Sequence, residues 1–77
     1  MEMIKVESSN ISEIGYNEKK QICKIIFNTN SSYLYFPFPK ELWMAFKKAK
    51  SFGKFFYKYI KSNPTIEVEK INSSSKL

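Results

Sequence analysis

Gln21-Ile22-Cys23-Lys24-Ile25-Ile26-Phe27, then Asn28-Thr29-Asn30-Ser31, then Ser32-Tyr33-Leu34-Tyr35-Phe36-Pro37-Phe38: this stretch decides the class of fold. The first run is dense in β-branched residues and the last in aromatics, and both types suit a pleated, half-buried strand. The four polar residues between them form a turn, where Asn tolerates the left-handed conformation that Gly would otherwise supply. Pro37 has no N–H for a ladder, so it marks a strand end or an edge. Upstream, Ile11 to Tyr16 is a short apolar stretch closed by the polar turn Asn17-Glu18-Lys19-Lys20. Three short runs joined by short turns imply an antiparallel meander.

Helical periodicity replaces alternation after Phe38. Pro39 suits a first helical position and Glu41 the first turn, where the helix dipole favours an acid. Leu42, Ala45, Phe46 and Ala49 recur at helical spacing, with Lys40, Met44, Lys47 and Lys48 off that stripe. Ser51 can cap a second helix through its hydroxyl. That helix sets Phe52, Phe55, Phe56 and Tyr59 on one face and Lys54, Tyr57, Lys58 and Lys61 on the other. Gly53 in its first turn permits a close backbone approach between the two helices. Asn63-Pro64 ends the helix, because Pro disfavours helical geometry in the residue before it. Residues 65–71 then read as a fourth strand or an extended arm, and Asn72 to Leu77 as a Ser-rich end without cause to order. The expectation is one α+β domain over residues 1–63, with an arm over 64–77. Its sheet has three antiparallel strands, or four with the arm, followed by two helices packed on one face.

Composition narrows the chemistry. The chain has 77 residues, enough for one small domain with a thin core. Its 17% aromatic content is too high for a disordered chain. Thirteen Lys and seven Glu make up every charge: there is no Arg, Asp or His. A chain without His or Asp and with one Cys assembles no ordinary metal site and no Ser-His-Asp or Cys-His pair. Catalysis would rest on Glu, Tyr or Lys alone, so we expect no enzyme, no cofactor and no metal. A single Cys makes no internal disulfide, which points to a reducing, cytoplasmic setting. Met1 to Asn10 carries two glutamates and no signal-like apolar run, and no apolar stretch is long enough to span a membrane.

Charge is uneven along the chain. Residues 1–39 hold four Lys and four Glu, and residues 62–77 hold two of each, so both flanks cancel. Residues 40–61 hold seven Lys against Glu41 and carry the whole net charge of +6.

The order of motifs resembles a known family. Val6-Glu7-Ser8-Ser9-Asn10-Ile11, Ile14-Gly15-Tyr16, Phe27, Tyr33-Leu34-Tyr35, Pro39, Ser51-x-Gly53-x-Phe55-Phe56 and Ile60-Lys61 are similar to the KTSC domain, across about residues 4–61. That domain is named for its occurrence at the C-terminus of some lysyl-tRNA synthetases, and it also occurs as short stand-alone bacterial and phage proteins. The resemblance implies a small strand-then-helix fold with the tyrosine pair in the third strand, and its synthetase context suggests RNA binding. This chain departs from the pattern at Asn17 and Asn30, where turns of the family usually look like Asp and Gly. It departs again at Ile22, Ile26 and Leu34, where the family tends to be more polar.

Four groups of residues are candidates for function. Trp43, Lys47 and Lys50 fall on one helical flank at i, i+4 and i+7, and Tyr57 with Lys54, Lys58 and Lys61 forms a second strip. Ammonium groups beside aromatic rings suit single-stranded nucleic acid, whose phosphates meet charge while its bases stack. The competing reading is a solvated helix face with the two rings at the core margin, and the lack of Arg weakens phosphate recognition. Tyr33 and Tyr35 share a strand face, and we read them, with Tyr16, as core pillars ahead of a stacking platform. If Cys23, Ile25 and Phe27 meet the helices, then Ile22, Ile26, Leu34 and Phe36 form an apolar patch on the far face. The arm could cover that patch through Ile66, Val68 and Ile71, or a second subunit or another protein could. Cys23 itself reads as a small core residue, and Ser8-Ser9-Asn10 as a source of local turn hydrogen bonds.

The leading expectation is a non-catalytic module binding RNA or single-stranded nucleic acid through Lys47, Lys50, Lys54, Lys58 and Lys61, with Trp43 and Tyr57 stacking. The alternative is a protein-interaction module, either a homodimer or a phage or bacterial inhibitor or adaptor acting on a host protein. Such a module could serve as an anti-defence protein, with Ile22, Ile26, Leu34 and Phe36 in contact and the lysines addressing an acidic partner or an anionic nucleotide.

Overall fold

In the computed structural model, which describes residues 1–71, five strands form one antiparallel sheet in the order of the chain. They are β1 (Met3–Lys5), β2 (Ile11–Asn17), β3 (Ile22–Phe27), β4 (Ser32–Phe36) and β5 (Glu67–Ile71). The α+β class stands, but the sheet is wider than the three or four strands expected. β1 has only three residues, two of them exposed, and so leaves no alternating pattern to read. The arm supplies β5, which pairs with β4 from Ser32↔Ile71 to Phe36↔Glu67. The expected disordered end, Asn72 to Leu77, lies outside the described residues.

Each turn works as its residues dictate. Asn30 takes the left-handed conformation with φ 71°, as does Gln21 with φ 54° in the preceding turn. The Asn17 carboxamide oxygen accepts from the Lys20 N–H, closing the β2–β3 connection. The Phe36–Pro37 peptide bond is cis at the end of β4.

The inner face of the sheet is set by one irregularity. Ile11 pairs with Phe27 and Glu13 with Ile26, so Ser12 is an extra residue opposite no partner. Without that bulge, Ile11 and Ile14 would point to opposite faces, since strand side chains alternate. With it, both are inside, at 1% and 0% exposure. Tyr16, Cys23, Ile25, Tyr33 and Tyr35 share this face, and the alternation read in β3 and β4 is the one observed.

The helices cover this inner face. α1 (Lys40–Phe46) begins after Pro39, and α2 (Phe52–Phe55) begins after Ser51, whose hydroxyl accepts from the Lys54 N–H at 3.3 Å. α2 runs straight into a π-helical segment, Phe56–Lys61. The buried residues of α1 are Trp43 and Phe46, while Ala45 is exposed. The stripe expected from Leu42, Ala45, Phe46 and Ala49 is therefore rotated toward the larger rings, which bury more apolar area than alanine. In the second helix Phe56 and Ile60 are buried and Tyr59 is exposed, because the wider π turn carries it outward. Gly53 makes its close approach to the loop before β2 and not to α1: an added Cβ would lie 2.8 Å from the Asn10 carboxamide oxygen.

Aromatic packing fills the core. Phe38, Phe46 and Phe55 form a chain of ring contacts, and Tyr35 meets Phe56 edge-on at 5.5 Å. The far face of the sheet has no helix over it. Ile22, Ile26, Leu34 and Phe36 are half-buried there, outside the core and the residues packed against it. The arm does not cover them. It extends the sheet edge instead, because pairing with β4 satisfies its backbone groups, which lying across side chains would not. Val68 sits opposite Tyr35 on the helix side, and Ile66 packs against the core.

Candidate nucleic-acid interface

β5 widens the sheet past the reach of the helices, and an open groove results. About 570 Å³ in volume, it runs between β4–β5 and the π-helical segment. Phe27, Tyr33, Tyr35 and Phe56 form its floor, with Val68 on one wall and Tyr57 and Lys61 on the other. The rings of the floor pack on one another: Phe27 meets Tyr33 edge-on at 5.7 Å and Phe56 at 5.4 Å, geometries that aromatic rings favour. Tyr57 is 57% exposed, so its ring is available to a ligand. The Lys61 ammonium lies 4.7 Å from its centroid, within cation–π range.

One end of the groove is polar. The Ser8–Asn10 loop is fixed there, since the Ser8 hydroxyl accepts from the N–H groups of Asn10 and Ile11, and Asn28 donates through its side chain to the Ser8 carbonyl. The reading of these serines as local turn formers holds. Beyond Tyr57 a second, shallower depression of about 440 Å³ brings Lys54 and Lys58 beside Ser9, Asn10 and Gly53. Tyr57 is thus the ridge between two hollows, with Lys61 on one side and Lys54 and Lys58 on the other.

The first predicted flank is not assembled this way. α1 stops at Phe46, Lys47 is its C-cap, and Lys50 falls in the connection to α2, so the i, i+4, i+7 strip is broken. Trp43 is 8% exposed and stacks on Tyr16 at 5.2 Å, which removes it as a free stacking surface. The Lys47 ammonium hovers 6.0 Å from that ring, at the limit of a useful contact. The hollow around Trp43 also contains Glu2 and Glu18, and Lys40 pairs with Glu18 at 3.2 Å. Acidic groups therefore offset the lysines of this flank, whereas Glu does not line the groove or the depression beside it.

Titration behaviour follows burial. Burial raises the Cys23 thiol well above its ordinary value and does the same to the Tyr35 hydroxyl. Tyr16 is raised by burial first and by Glu18 second, and its hydroxyl donates to the Phe38 carbonyl at 2.6 Å. All three are held in the protonated form. Cys23 and Tyr35 are core residues, as expected, and Tyr16 packs at the core margin. Tyr33 differs: it is half-buried and its ring helps to floor the groove. Treating the tyrosine pair as one unit missed a difference in burial: both rings line the groove, but Tyr35 lies against Phe56 and is 6% exposed, while Tyr33 stays half-buried. Val68 and Phe27 were missed as groove residues too. No local pattern marks them, since their role comes from the placement of β5.

No helix among the described residues is long and apolar enough to cross a membrane. Among those residues no cluster of three or more metal-ligating side chains occurs.

The chain is 31% identical to a KTSC domain protein of Yersinia pestis whose crystal structure superposes with a TM-score of 0.86, covering 92% of this chain and 97% of that one. It is also 30% identical over 61 residues to an uncharacterised protein of Stutzerimonas stutzeri, covering 79% of this chain and 86% of the relative. The KTSC domain model matches residues 7–63, which include the Ser8–Asn10 loop, the tyrosine pair and the whole π-helical segment. The chain belongs to the KTSC domain family.

Proposed function

We propose that this protein is a non-catalytic module that binds single-stranded nucleic acid, RNA in the first instance, along the groove beside Tyr57. One observation carries the reading: an open aromatic floor lies next to exposed lysines, with Tyr57 as the ridge between them. Unpaired bases stack on such rings whatever their identity, and ammonium groups neutralise the phosphates that follow the strand. Tyr33 and Tyr57 offer the stacking surfaces, and Lys54, Lys58 and Lys61 the charge. Lys47 and Lys50 add only long-range attraction, and Trp43 supports Tyr16. The chain has no His, Asp or Arg, and its one thiol is buried and protonated, which favours binding over chemistry. A reducing cytoplasm suits that unpaired thiol.

The test is fluorescence anisotropy of a labelled single-stranded RNA at increasing salt. Three phosphate contacts give a slope of about −2 in log affinity against log salt, so affinity falls about 20-fold between 50 and 200 mM. Lys61→Ala lowers that slope by about 0.7. Tyr57→Ala leaves the slope alone and weakens binding by about 1–3 kcal/mol, the worth of one stacked base. Binding independent of salt, or absent at low salt, refutes the reading.

A further inference from the structure

We infer that the far face of the sheet is a self-association surface, on which a second copy of this chain docks about a two-fold axis running along β4. This rests on strand register and is independent of the groove. On that face the row through Leu34 reads, from β1 to β5, Met3, Gly15, Lys24, Leu34, Glu69, and the next row reads Lys5, Glu13, Ile26, Ser32, Ile71. Lys5 and Glu13 stand opposite each other, which leaves Lys24 and Glu69 as the charges on the strands that flank β4. β4 is therefore a line with opposite charges at equal distance on its two sides, and with isoleucine at equal distance on its two sides.

A rotation about that line, with the two faces packed at the ordinary sheet separation of about 10 Å, turns the asymmetry into complementarity. Leu34 meets Leu34 and Phe36 meets Phe36 on the axis. Lys24 meets the partner's Glu69, and Ile26 the partner's Ile71, each twice, as an isologous interface requires. Ile22 faces the stem of the partner's Glu67, whose carboxylate lies at the end of the strand and reaches water. Within one chain Lys24 and Glu69 stand two strands apart with Leu34 between them, and they form no ion pair with each other. Among the described residues neither has an ion-pair partner. A second copy sets an opposite charge directly across from each of them and covers four apolar side chains that the core leaves out. A partner with an all-acidic or all-basic face would satisfy only one of the two charges.

Sedimentation velocity of the intact chain across a range of concentrations tests this. The wild type is expected to pass from monomer to dimer as concentration rises. Lys24→Glu and Glu69→Lys each set like charges together at both contacts and shift the equilibrium toward monomer by about tenfold or more, the cost of juxtaposed like charges. Mixing the two variants in equal amounts restores the dimer, because every contact in the mixed pair again joins opposite charges. An effect confined within one chain would not be rescued by mixing. Circular dichroism checks that both variants retain the fold, which is expected because both residues lie outside the core. A wild type of monomeric mass at all concentrations overturns the inference, as does a dimer indifferent to both substitutions, or a mixture that stays monomeric.

Discussion

Cys23 is fully buried between Tyr16 and Tyr35 in the ladder, with no base near enough to activate it. Its physical consequence is alkaline sensitivity. The thiol titrates near 9 when exposed, and burial raises it in the folded protein. The folded state thus holds the proton more tightly than the unfolded chain. The associated stability is complete below about pH 9 and is lost as pH rises beyond it, at up to about 1.4 kcal/mol per pH unit. Thermal melts should show a midpoint that is level from pH 6 to 8 and falls above 9. Cys23→Ala should melt lower throughout, with its fall deferred toward pH 10, where the buried Tyr35 hydroxyl begins to titrate in the unfolded chain. A wild-type midpoint unchanged at pH 10 would contradict this account.

Among the elements, β2 depends most on a single residue. Ser12 occupies the bulge that turns Ile11 inward, and its carbonyl accepts from the Val6 N–H at 3.1 Å. Deleting Ser12 keeps every apolar side chain yet moves Ile11 to the far face, since a one-residue slip reverses a strand's orientation. The loss should match that of Ile11→Ala, about 2–5 kcal/mol. For so small a domain that is most of the stability available. Urea titration followed by circular dichroism should show a much earlier midpoint, or no cooperative transition, in both variants. The π-helical segment has the complementary role: its wider turn buries Phe56 and Ile60 while presenting Tyr57 and Lys61 together, one turn apart, to the groove.

At the scale of the whole molecule, the two proposed surfaces lie on opposite sides of one sheet. A back-to-back dimer therefore leaves both grooves open and facing outward. That geometry predicts avidity. On an RNA short enough to fill one groove, Glu69→Lys should bind as the wild type does. On a strand long enough to reach both grooves it should bind about tenfold more weakly or worse, despite its added positive charge, because the second contact is no longer intramolecular. Anisotropy with two lengths of the same strand checks this, and equal behaviour on both lengths would separate the groove from the dimer.

Local chemistry determined much of this protein. Alternation in β3 and β4, the Asn30 turn, the Ser51 cap and the stop at Asn63-Pro64 were legible because each is a preference of a residue and its neighbours in the chain. The confinement of the net charge to residues 40–61 was legible for the same reason. What required the tertiary structure was every feature that depends on a distant partner. β1 is too short to announce itself, and of the two readings of residues 65–71, strand or arm, the unpaired edge of β4 selects the strand. The bulge at Ser12 is visible only against β3. Trp43 leaves the set of ligand-facing rings because Tyr16 stacks on it, and Tyr33 joins that set because its ring stays half-buried in the groove. A residue's preference is set within a few positions along the chain. Its exposure is decided by which other element comes to lie on top of it.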